Sequence, residues 1–444
     1  MIYLVITFLS YLISALSIKN IIGASQNNIN IHSINFYTHF LLQGALGAIL
    51  VVNNLDHHYL ISSVTNQQTR FIGWLLITAL PLSYTIGIVI SNVLITNKIS
   101  IKSEYACYLN NKVVIGKDHI LLLSLLPIFC LVCFYVFSMS DVFSYKYLVG
   151  NHDLAKIRIM ADDTYHGNIY VKNILFKTLI PIFAIFSFVV YLNNRKHITL
   201  LLCLVYMLMA IYSLTYSLAK SPLAFFLISL FFSYFYSRGS MEIRKLFYFS
   251  LLVITVILLS YYFFMGGELL SNSYNKGPIG RVILSQQAGI YLSIEMFPNH
   301  IDFIGFESFS KNVSSFFGIA HIDRSAEYLM QFFNKNAVDK GTAGVLNSLF
   351  IAESWANWGI YGAVIFPIWV GFITNILILF IISTPKSAFL VSILSYYSFG
   401  GAVIGGANDY LYNPKSIIVA ILLTLYLVFM YCMSKYVKKN INVS

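Results

Sequence analysis

The chain has 444 residues, of which 58% are hydrophobic and 10% are charged, and its mean hydropathy is +0.75. Soluble domains carry about 25% charged residues, so this composition excludes an ordinary soluble globular protein. Apolar stretches of about 20 residues recur along the whole length, and each is long enough to cross the hydrocarbon core as a helix. The sequence therefore predicts an all-α, polytopic integral membrane protein.

About eleven membrane-spanning helices are predicted, and they divide the chain into short connections and two long loops. They cover residues 2–18, 36–53, 71–95, 119–139, 174–192, 198–217, 221–236, 246–264, 356–382, 387–407 and 416–433. The first apolar run has no basic residue ahead of it, so we interpret it as a retained span and not as a signal peptide. A single membrane domain over residues 1–444 is expected.

Basic residues fall unequally on the two sides when the loops are assigned alternately to the two membrane faces. One face collects fourteen of the 28 basic residues and three of the 17 acidic residues, which accounts for the net charge of +11. Because positively charged loops stay cytoplasmic, the C-terminus is predicted inside and the N-terminus outside. This charge is a topology signal, and nucleic-acid binding is not predicted. The long loops, residues 140–172 and 265–355, are expected outside, where long loops usually carry function.

The first long loop contains the sequence YKYLVGNHDLAKIRIMADDTYHGNIY. Lys156 or Arg158 could bind an anionic headgroup there, and Tyr165 and Tyr170 could stack on sugar rings. A merely solvated loop is the alternative. Two adjacent carboxylates follow Arg158, but without a third partner they are weak evidence for a metal site, and no metal or cofactor is predicted.

Lys220 lies in the turn YSLAKSPLAFF, at the predicted outer boundary of two spans. One interpretation is a lysine that extends its ammonium group to the membrane surface while its stem stays in the apolar region. The other is a cation that binds a lipid-linked phosphate at that surface. Both remain open from the sequence.

The second long loop opens with GPIGRVILSQQAGIYLSIEMF, which predicts an interfacial helix from Arg281 onward. Arg281 and Ser285 are four residues apart and so share a face of that helix. The planar guanidinium of arginine can hold two phosphate oxygens at once. Arg281 is therefore a candidate for binding diphosphate at the bilayer surface.

A later segment, HIDRSAEYLMQFFNK, brings His321, Asp323, Arg324 and Glu327 close together in sequence. Each charge alone is typical of a solvated helix face. Taken together, a cation and neighbouring bases are the groups that a transfer reaction with a phosphate leaving group needs. Arg324 is therefore a candidate for binding phosphate and His321 for accepting a proton; the resemblance described below makes these roles diphosphate binding and general base.

The chain re-enters the membrane through AESWANWGIYGAVIF, where Glu353, Asn357 and Tyr361 are spaced to line one helical face. Glu353 is a second candidate for the general base because ionisable groups near the hydrocarbon are often functional, although it could equally be a helix-start residue. Asn357 and Tyr361 are predicted to contact sugars. The GGAVIGG sequence of residues 400–406 is interpreted as a site of close helix packing.

These features together resemble the Wzy-type O-antigen polymerases, which are inner-membrane proteins with two long periplasmic loops that carry arginines. The passage AESWANWGIYG, residues 352–362, is similar to the E-x-x-x-N-[FW]-G-x-x-G re-entry of many oligosaccharide repeat-unit polymerases. GRVILSQQAG and AKSPL also have counterparts in many members. The resemblance covers the whole chain as an architecture, and no tight arginine repeat between the two loops is present.

The resemblance implies a GT-C-like membrane glycosyltransferase of the bacterial inner membrane. Such an enzyme moves a growing glycan from undecaprenyl diphosphate onto the terminal sugar of a lipid-linked repeat unit. It also implies the lipid bilayer, a chain-length regulator and a flippase of the same pathway as partners. Should neither His321 nor Glu353 be the base, the next candidates are Asp162, Asp163 and His300.

Two other functions remain open. An O-antigen ligase would use the same donor but transfer the glycan to lipid A-core. A flippase or transporter of lipid-linked oligosaccharide would place charges at span centres among broken helices. The charges of this sequence crowd into the outer loops instead, which favours an enzyme.

Overall fold

The computed structural model of the protein describes most of the chain. The described residues are 1–23, 29–141, 160–161, 164–217, 220–239, 248, 251, 255, 274–275, 277–339, 345–346, 348–399 and 403–441. Their regular structure consists of α-helices, π-helical stretches and short 3-10 turns, with isolated β-bridges and no β-strand among them. The prediction of an all-α protein is confirmed for this part of the chain.

Seven helices of the described part are long and apolar enough to cross a membrane. They are α1 (Ile2–Ile22), α2 (Ile31–Val52), α3 (Gln67–Thr96), α4 (Asp118–Ser138), α5 (Val171–Asn193), α6 (His197–Thr215) and α7 (Ile351–Ile382). All seven coincide with predicted spans. Their length and composition are those of a polytopic membrane protein.

The remaining four predicted spans have different outcomes. The helices Lys220–Arg238 and Pro414–Ile441 match two of them, and the predicted span 246–264 lies almost entirely outside the described residues. The prediction of one helix over 387–407 is wrong, because the helix that begins at Ala388 ends at Phe399. Residues 403–405 instead run extended beside residues 348–350, where Phe350 donates its backbone N–H to Val403 and Gly405 donates to Ser348.

The chain forms two compact units within the predicted single domain. The first comprises residues 1–110, 240–384 and 397–411, and the second comprises residues 111–239, 385–396 and 412–444. In the first unit, α3 and α7 pack with their backbones very close. A methyl group added at Gly87 would overlap the carbonyl oxygen of Ile368, so glycine permits this approach.

A buried polar network also holds the first unit together. The Tyr84 hydroxyl lies 2.7 Å from His32 Nδ1, and His32 Nε2 lies 3.2 Å from the Asn375 side-chain oxygen. Asn375 in turn donates to Ser91 and Asn92. Because each member has a partner, the network links α2, α3 and α7 without leaving these polar groups unpaired in the interior.

In the second unit, α4, α5 and α6 pack through aromatic side chains. Phe129, Phe183 and Tyr206 form contacts with ring centroids 5.0 and 6.0 Å apart. The Tyr206 hydroxyl donates to the carbonyl of Leu122 at 2.8 Å. Polar atoms of buried tyrosines are thereby satisfied while their rings fill the core.

The first unit also contains the helical segment that was predicted to be interfacial. It begins at Gly277, continues through a π-helical stretch at Arg281–Ser285 and ends at Met296. Its second half is buried all round, since every residue from Gln287 to Ile294 is buried. An interfacial helix would expose one face, so this half is a packed core helix and the prediction for it is wrong.

Candidate functional site

The most concentrated group of polar side chains in the second long loop surrounds Arg324. This residue precedes the short helix Ser325–Phe333, and its guanidinium reaches Glu353 at the start of α7. Arg324 Nε lies 2.6 Å from Glu353 Oε1, and Nη2 lies 2.9 Å from Oε2. The pair is therefore bidentate, the strongest geometry between these groups. Glu353 is 4% exposed, whereas 36% of the Arg324 side chain is exposed.

A 3-10 turn, Ala407–Tyr410, completes the surroundings of this ion pair. The backbone N–H of Asn408 donates to Glu353 Oε2 at 3.1 Å, and its side-chain amide donates to the carbonyl of Ser308 at 3.0 Å. Asp409 Oδ2 lies 3.9 Å from Arg324 Nη2. Both oxygens of Glu353 thus accept hydrogen bonds from groups that are fixed by other elements.

Gly406 allows the turn to approach the ion pair. A methyl group at this position would overlap both Arg324 Nη2 and Glu353 Oε2, because its distance to each atom would be shorter than a van der Waals contact. The sequence interpretation placed Gly406 in a helix–helix contact, which is wrong because residues 403–406 are not helical. The glycine instead lets backbone lie directly against a charged pair.

Asn357 and Tyr361 do not share a face of α7, contrary to the prediction. Gly359 between them has φ 60° and ψ −143°, which interrupts the helix in a region that is essentially restricted to glycine. Asn357 is buried with its amide 3.5 Å from Asn408 Oδ1, and its own Oδ1 has no hydrogen-bond partner among the described residues. Tyr361 is 76% exposed and is directed away by the kink.

His321 lies on the exposed side of the same loop. Its Nδ1 is 2.7 Å from the carbonyl oxygen of Phe309. A carbonyl only accepts, so Nδ1 carries the proton and the neutral ring presents a lone pair at Nε2. Nearby, burial and the Asp323 carboxylate raise the pKa of Glu327, while Arg324 and His321 act in the opposite direction. Asp323, Arg324 and His321 are thus near enough to Glu327 to interact with it electrostatically.

Arg281 is exposed and forms no hydrogen bond or ion pair with the residues that the structure describes. Ser285 turns toward His58 instead, with its hydroxyl 2.9 Å from His58 Nε2. Although Arg281 and Arg324 belong to the same unit, they are held by different elements. Arg281 therefore offers an open guanidinium, whereas that of Arg324 is engaged by carboxylates.

The other predicted site residues are placed elsewhere or are not described. Arg158 lies outside the described residues, as do Asp162, Asp163 and the side chain of Lys220. Tyr165 and Tyr170 belong to the second unit. The Lys172 ammonium lies 4.4 Å from the centre of the Tyr165 ring, and Tyr170 is half exposed.

Sequence reasoning missed two polar features of the first unit. One is the Asn408–Asp409 pair, whose only signal was a polar dipeptide that follows two glycines and an alanine. The other is a buried ion pair between Asp56 and Arg70. Arg70 also donates to the carbonyls of Val51 and Val64, so it fixes the loop between α2 and α3. The sequence signal for this ion pair was the presence of opposite charges near the two ends of the loop between α2 and α3.

Comparison with known proteins gives no relative: no family model matches the chain, and neither the curated proteins nor the solved structures contain a match.

Proposed function

We propose that the protein is a glycosyltransferase of the bacterial inner membrane that polymerises a surface polysaccharide. In the proposed reaction, the growing glycan leaves undecaprenyl diphosphate and is joined to the terminal sugar of a lipid-linked repeat unit at the periplasmic face. The proposed orientation has the N-terminus periplasmic and the C-terminus cytoplasmic, with residues 140–172 and 265–355 outside.

One observation supports this proposal above the others. The residues that carry the family resemblance, from Glu353 to Gly362, are those that organise the charged cluster. Glu353 holds Arg324 in a bidentate pair, Asn357 meets Asn408, and Gly359 supplies the kink. A motif that only packed one helix against another would not need these polar contacts.

The bond changes of the reaction assign the roles that the residues would have. The acceptor hydroxyl oxygen attacks the anomeric carbon of the donor sugar, and the bond from that carbon to the diphosphate oxygen breaks. The electron pair leaves with undecaprenyl diphosphate, and the hydroxyl proton passes to a general base. Cations near the diphosphate stabilise the charge that develops on it.

His321 fits the general base better than Glu353 does. Its Nε2 carries a free lone pair on the exposed side of the loop because Nδ1 is held by the Phe309 carbonyl. The carboxylate of Glu353 is buried, and both of its oxygens already accept hydrogen bonds from Arg324 and Asn408. We therefore assign proton removal to His321 and a positioning role to Glu353.

Arg281 is the proposed diphosphate contact. Its guanidinium is exposed, so it can present two N–H groups to phosphate oxygens. Replacement of Arg281 by alanine should abolish polymer at an unchanged protein level. Replacement by lysine should restore polymer only in part, because an ammonium group cannot make the planar two-point contact. Full-length polymer made by the alanine variant would rule out this role.

Deletion of the gene tests the function itself. The surface polysaccharide of the deletion strain is separated on a gel and compared with that of the complemented strain. Loss of a polymerase leaves core carrying a single repeat unit. Bare core with long chains retained on the lipid carrier would instead identify a ligase, and the absence of both single repeats and chains on the outer surface would identify a flippase.

A further inference from the structure

The charges around Arg324 are unsuited to a diphosphate. Glu353 binds the guanidinium on one edge, and Asp409 lies 3.9 Å from the same Nη2 atom. One guanidinium facing two carboxylates leaves the cluster net negative, and Asp323 adds a further acidic group beside it. A phosphate group brought here would meet carboxylates as near neighbours, and like charges repel strongly where water is partly excluded.

The same groups are well suited to an uncharged polyol. The Arg324 guanidinium donates and the Asp409 carboxylate accepts hydrogen bonds, and sugar hydroxyls both donate and accept them. Two of them reach solvent, since 36% of the Arg324 side chain and 35% of the Asp409 side chain are exposed. A ligand can therefore reach these two side chains from solvent, whereas contact with the buried Asn357 requires a local rearrangement.

An unsatisfied buried atom indicates which kind of ligand is missing. Asn357 is buried, its amide nitrogen is directed at Asn408, and its Oδ1 has no partner among the described residues. An acceptor left without a donor in such a place costs free energy, so it favours the entry of a hydroxyl donor. A phosphate, which offers acceptors, would not satisfy it.

An aromatic ring lies on the elements that hold the cluster. Phe306 belongs to the 3-10 turn Gly305–Ser308 and is 54% exposed. Its ring is held against Trp358, with centroids 5.7 Å apart. The turn is fixed to α7 by the Ile304 N–H, which donates to the carbonyl of Ala356 at 3.0 Å, and to the 407–410 turn through Ser308. A rigid exposed ring beside polar groups offers an apolar face for the C–H face of a sugar.

We propose that Arg324, Asp409 and Phe306 form a subsite for an uncharged sugar ring, that the buried Asn408 holds Glu353 in place beneath it, and that Arg324 does not bind the diphosphate. This inference rests on the proposed function. His321 begins the same segment, so the subsite would hold the acceptor sugar with a hydroxyl near the proposed base. Recognition of sugar and of diphosphate is then divided between the Arg324 cluster and Arg281.

The test compares two probes on the purified full-length protein in detergent. One probe is farnesyl diphosphate, which has no sugar. The other is the phosphate-free oligosaccharide that mild acid releases from the lipid-linked precursors of the producing strain. Binding of each is measured by isothermal titration calorimetry with wild type and with Asp409→Asn, Phe306→Ala and Arg281→Ala. Glu307→Gln is the matched control, because Glu307 is an exposed carboxylate next to Phe306 whose side chain makes no hydrogen bond or ion pair with the described residues.

We expect Asp409→Asn and Phe306→Ala to weaken oligosaccharide binding at least about tenfold, the effect of losing one charged hydrogen bond or one buried ring face. Both should leave farnesyl diphosphate binding within about twofold of wild type on the same scale. Arg281→Ala should instead weaken farnesyl diphosphate binding and leave oligosaccharide binding near the wild-type value. Glu307→Gln should bind both probes as wild type does. Because Asp409→Asn is isosteric and Phe306 is exposed, neither variant should lower the unfolding temperature.

Three results would overturn the inference. The first is weaker diphosphate binding with unchanged oligosaccharide binding in Asp409→Asn. The second is an Arg281→Ala variant that loses the oligosaccharide instead of the diphosphate. The third is a wild-type protein that does not bind the oligosaccharide at millimolar concentration. If the subsite variants behave as expected but the deletion strain still makes full-length polymer, the inference stands and the proposed polymerase function is wrong.

Discussion

Replacement of Gly406 by alanine directly tests the contact between the 403–410 segment and the charged pair. The added methyl group would occupy the space of the Arg324 Nη2 and Glu353 Oε2 atoms. The backbone just before Gly406 cannot retreat easily, because Gly405 donates to Ser348 at 3.0 Å and Phe350 donates to Val403 at 3.1 Å. The Arg324 side chain is the movable partner, so the alanine should expel it from its pair.

The expected loss in the free energy of unfolding depends on how deeply Glu353 and Arg324 are buried. Loss of one partner from a fully buried pair costs about 3–5 kcal/mol. Glu353 is buried, but the Arg324 side chain is partly exposed, so water replaces some of what the guanidinium loses. The Asn408 N–H also continues to donate to Glu353. We therefore expect the free energy of unfolding to fall by about 2 kcal/mol, or a few degrees in Tm.

Thermal unfolding of the purified protein in detergent measures this change, and the polysaccharide ladder measures its effect on function. Gly44→Ala is the matched control, because the nearest atom to a methyl group there is the side-chain Cγ2 of Ile77 at 3.3 Å, a tight contact that a shift of a few tenths of an ångström relieves. A double-mutant cycle with Arg324→Ala identifies the cause. In the Arg324→Ala background, Gly406→Ala should cost clearly less, because only the overlap with Glu353 Oε2 remains. An equal loss in both backgrounds, or no loss at all, would refute the proposed clash with Arg324.

Three further predictions follow from the topology, the base and the second ion pair. A cysteine at Ser310 should react with an impermeant thiol reagent in intact spheroplasts, and labelling only after lysis would reverse the proposed orientation. His321→Asn should slow transfer by purified enzyme at least about a hundredfold with little change in lipid binding, and an unchanged rate would move the base elsewhere. Asp56→Asn should lower the free energy of unfolding by about 3 kcal/mol because Arg70 is left as a buried cation, whereas Glu104→Gln in an exposed pair should change it by less than about 1 kcal/mol.

The spans were predictable because the physical signal for them is local. A run of about 20 apolar residues has few alternatives to a membrane-crossing helix, and α4, with a mean hydropathy of 2.8, shows this most clearly. The helix at Ala388 shows the limit of this signal. Its sequence stays apolar beyond Phe399, yet the chain turns away to pair with residues 348–350. That pairing depends on a partner about 50 residues distant, which hydropathy cannot detect.

The candidate site was predictable in its residue types but not in its assembly. His321, Arg324 and Glu353 were named from the sequence, and the structure brings the last two into direct contact. Their partner Asn408 was missed, since nothing local connects it to Glu353. Tyr361 was predicted to belong to the site because the spacing assumed a straight helix. The φ of 60° at Gly359 breaks the helix, so Tyr361 does not share a face with Glu353 and Asn357. Glycine permits such a break without requiring it.

The Asp56–Arg70 pair, which is buried, and the Arg324–Glu353 pair, which is partly buried, show why charged residues occur where they do in such an apolar chain. Non-helical backbone inside a membrane protein needs partners for its N–H and C=O groups. Arg70 donates to loop carbonyls, and Glu353 accepts from the N–H of Asn408. Each pair thus satisfies a stretch where the helical hydrogen bonding stops. Charge in this sequence accordingly marks interruptions of helices as well as the proposed sugar subsite.

Solvent exposure of the arginine side chain distinguishes a pair that only fixes a loop from a pair that lies at the proposed subsite. The Arg70 side chain is almost entirely enclosed, and its contacts are with Asp56 and backbone carbonyls, so its role is to fix a loop. Arg324 has an equally strong partner, yet about a third of its side chain faces solvent beside Asp409. A purely structural pair gains nothing from that opening, because water weakens it. The opening is where a ligand would pass, and the two carboxylates that border it favour hydroxyl groups over phosphate.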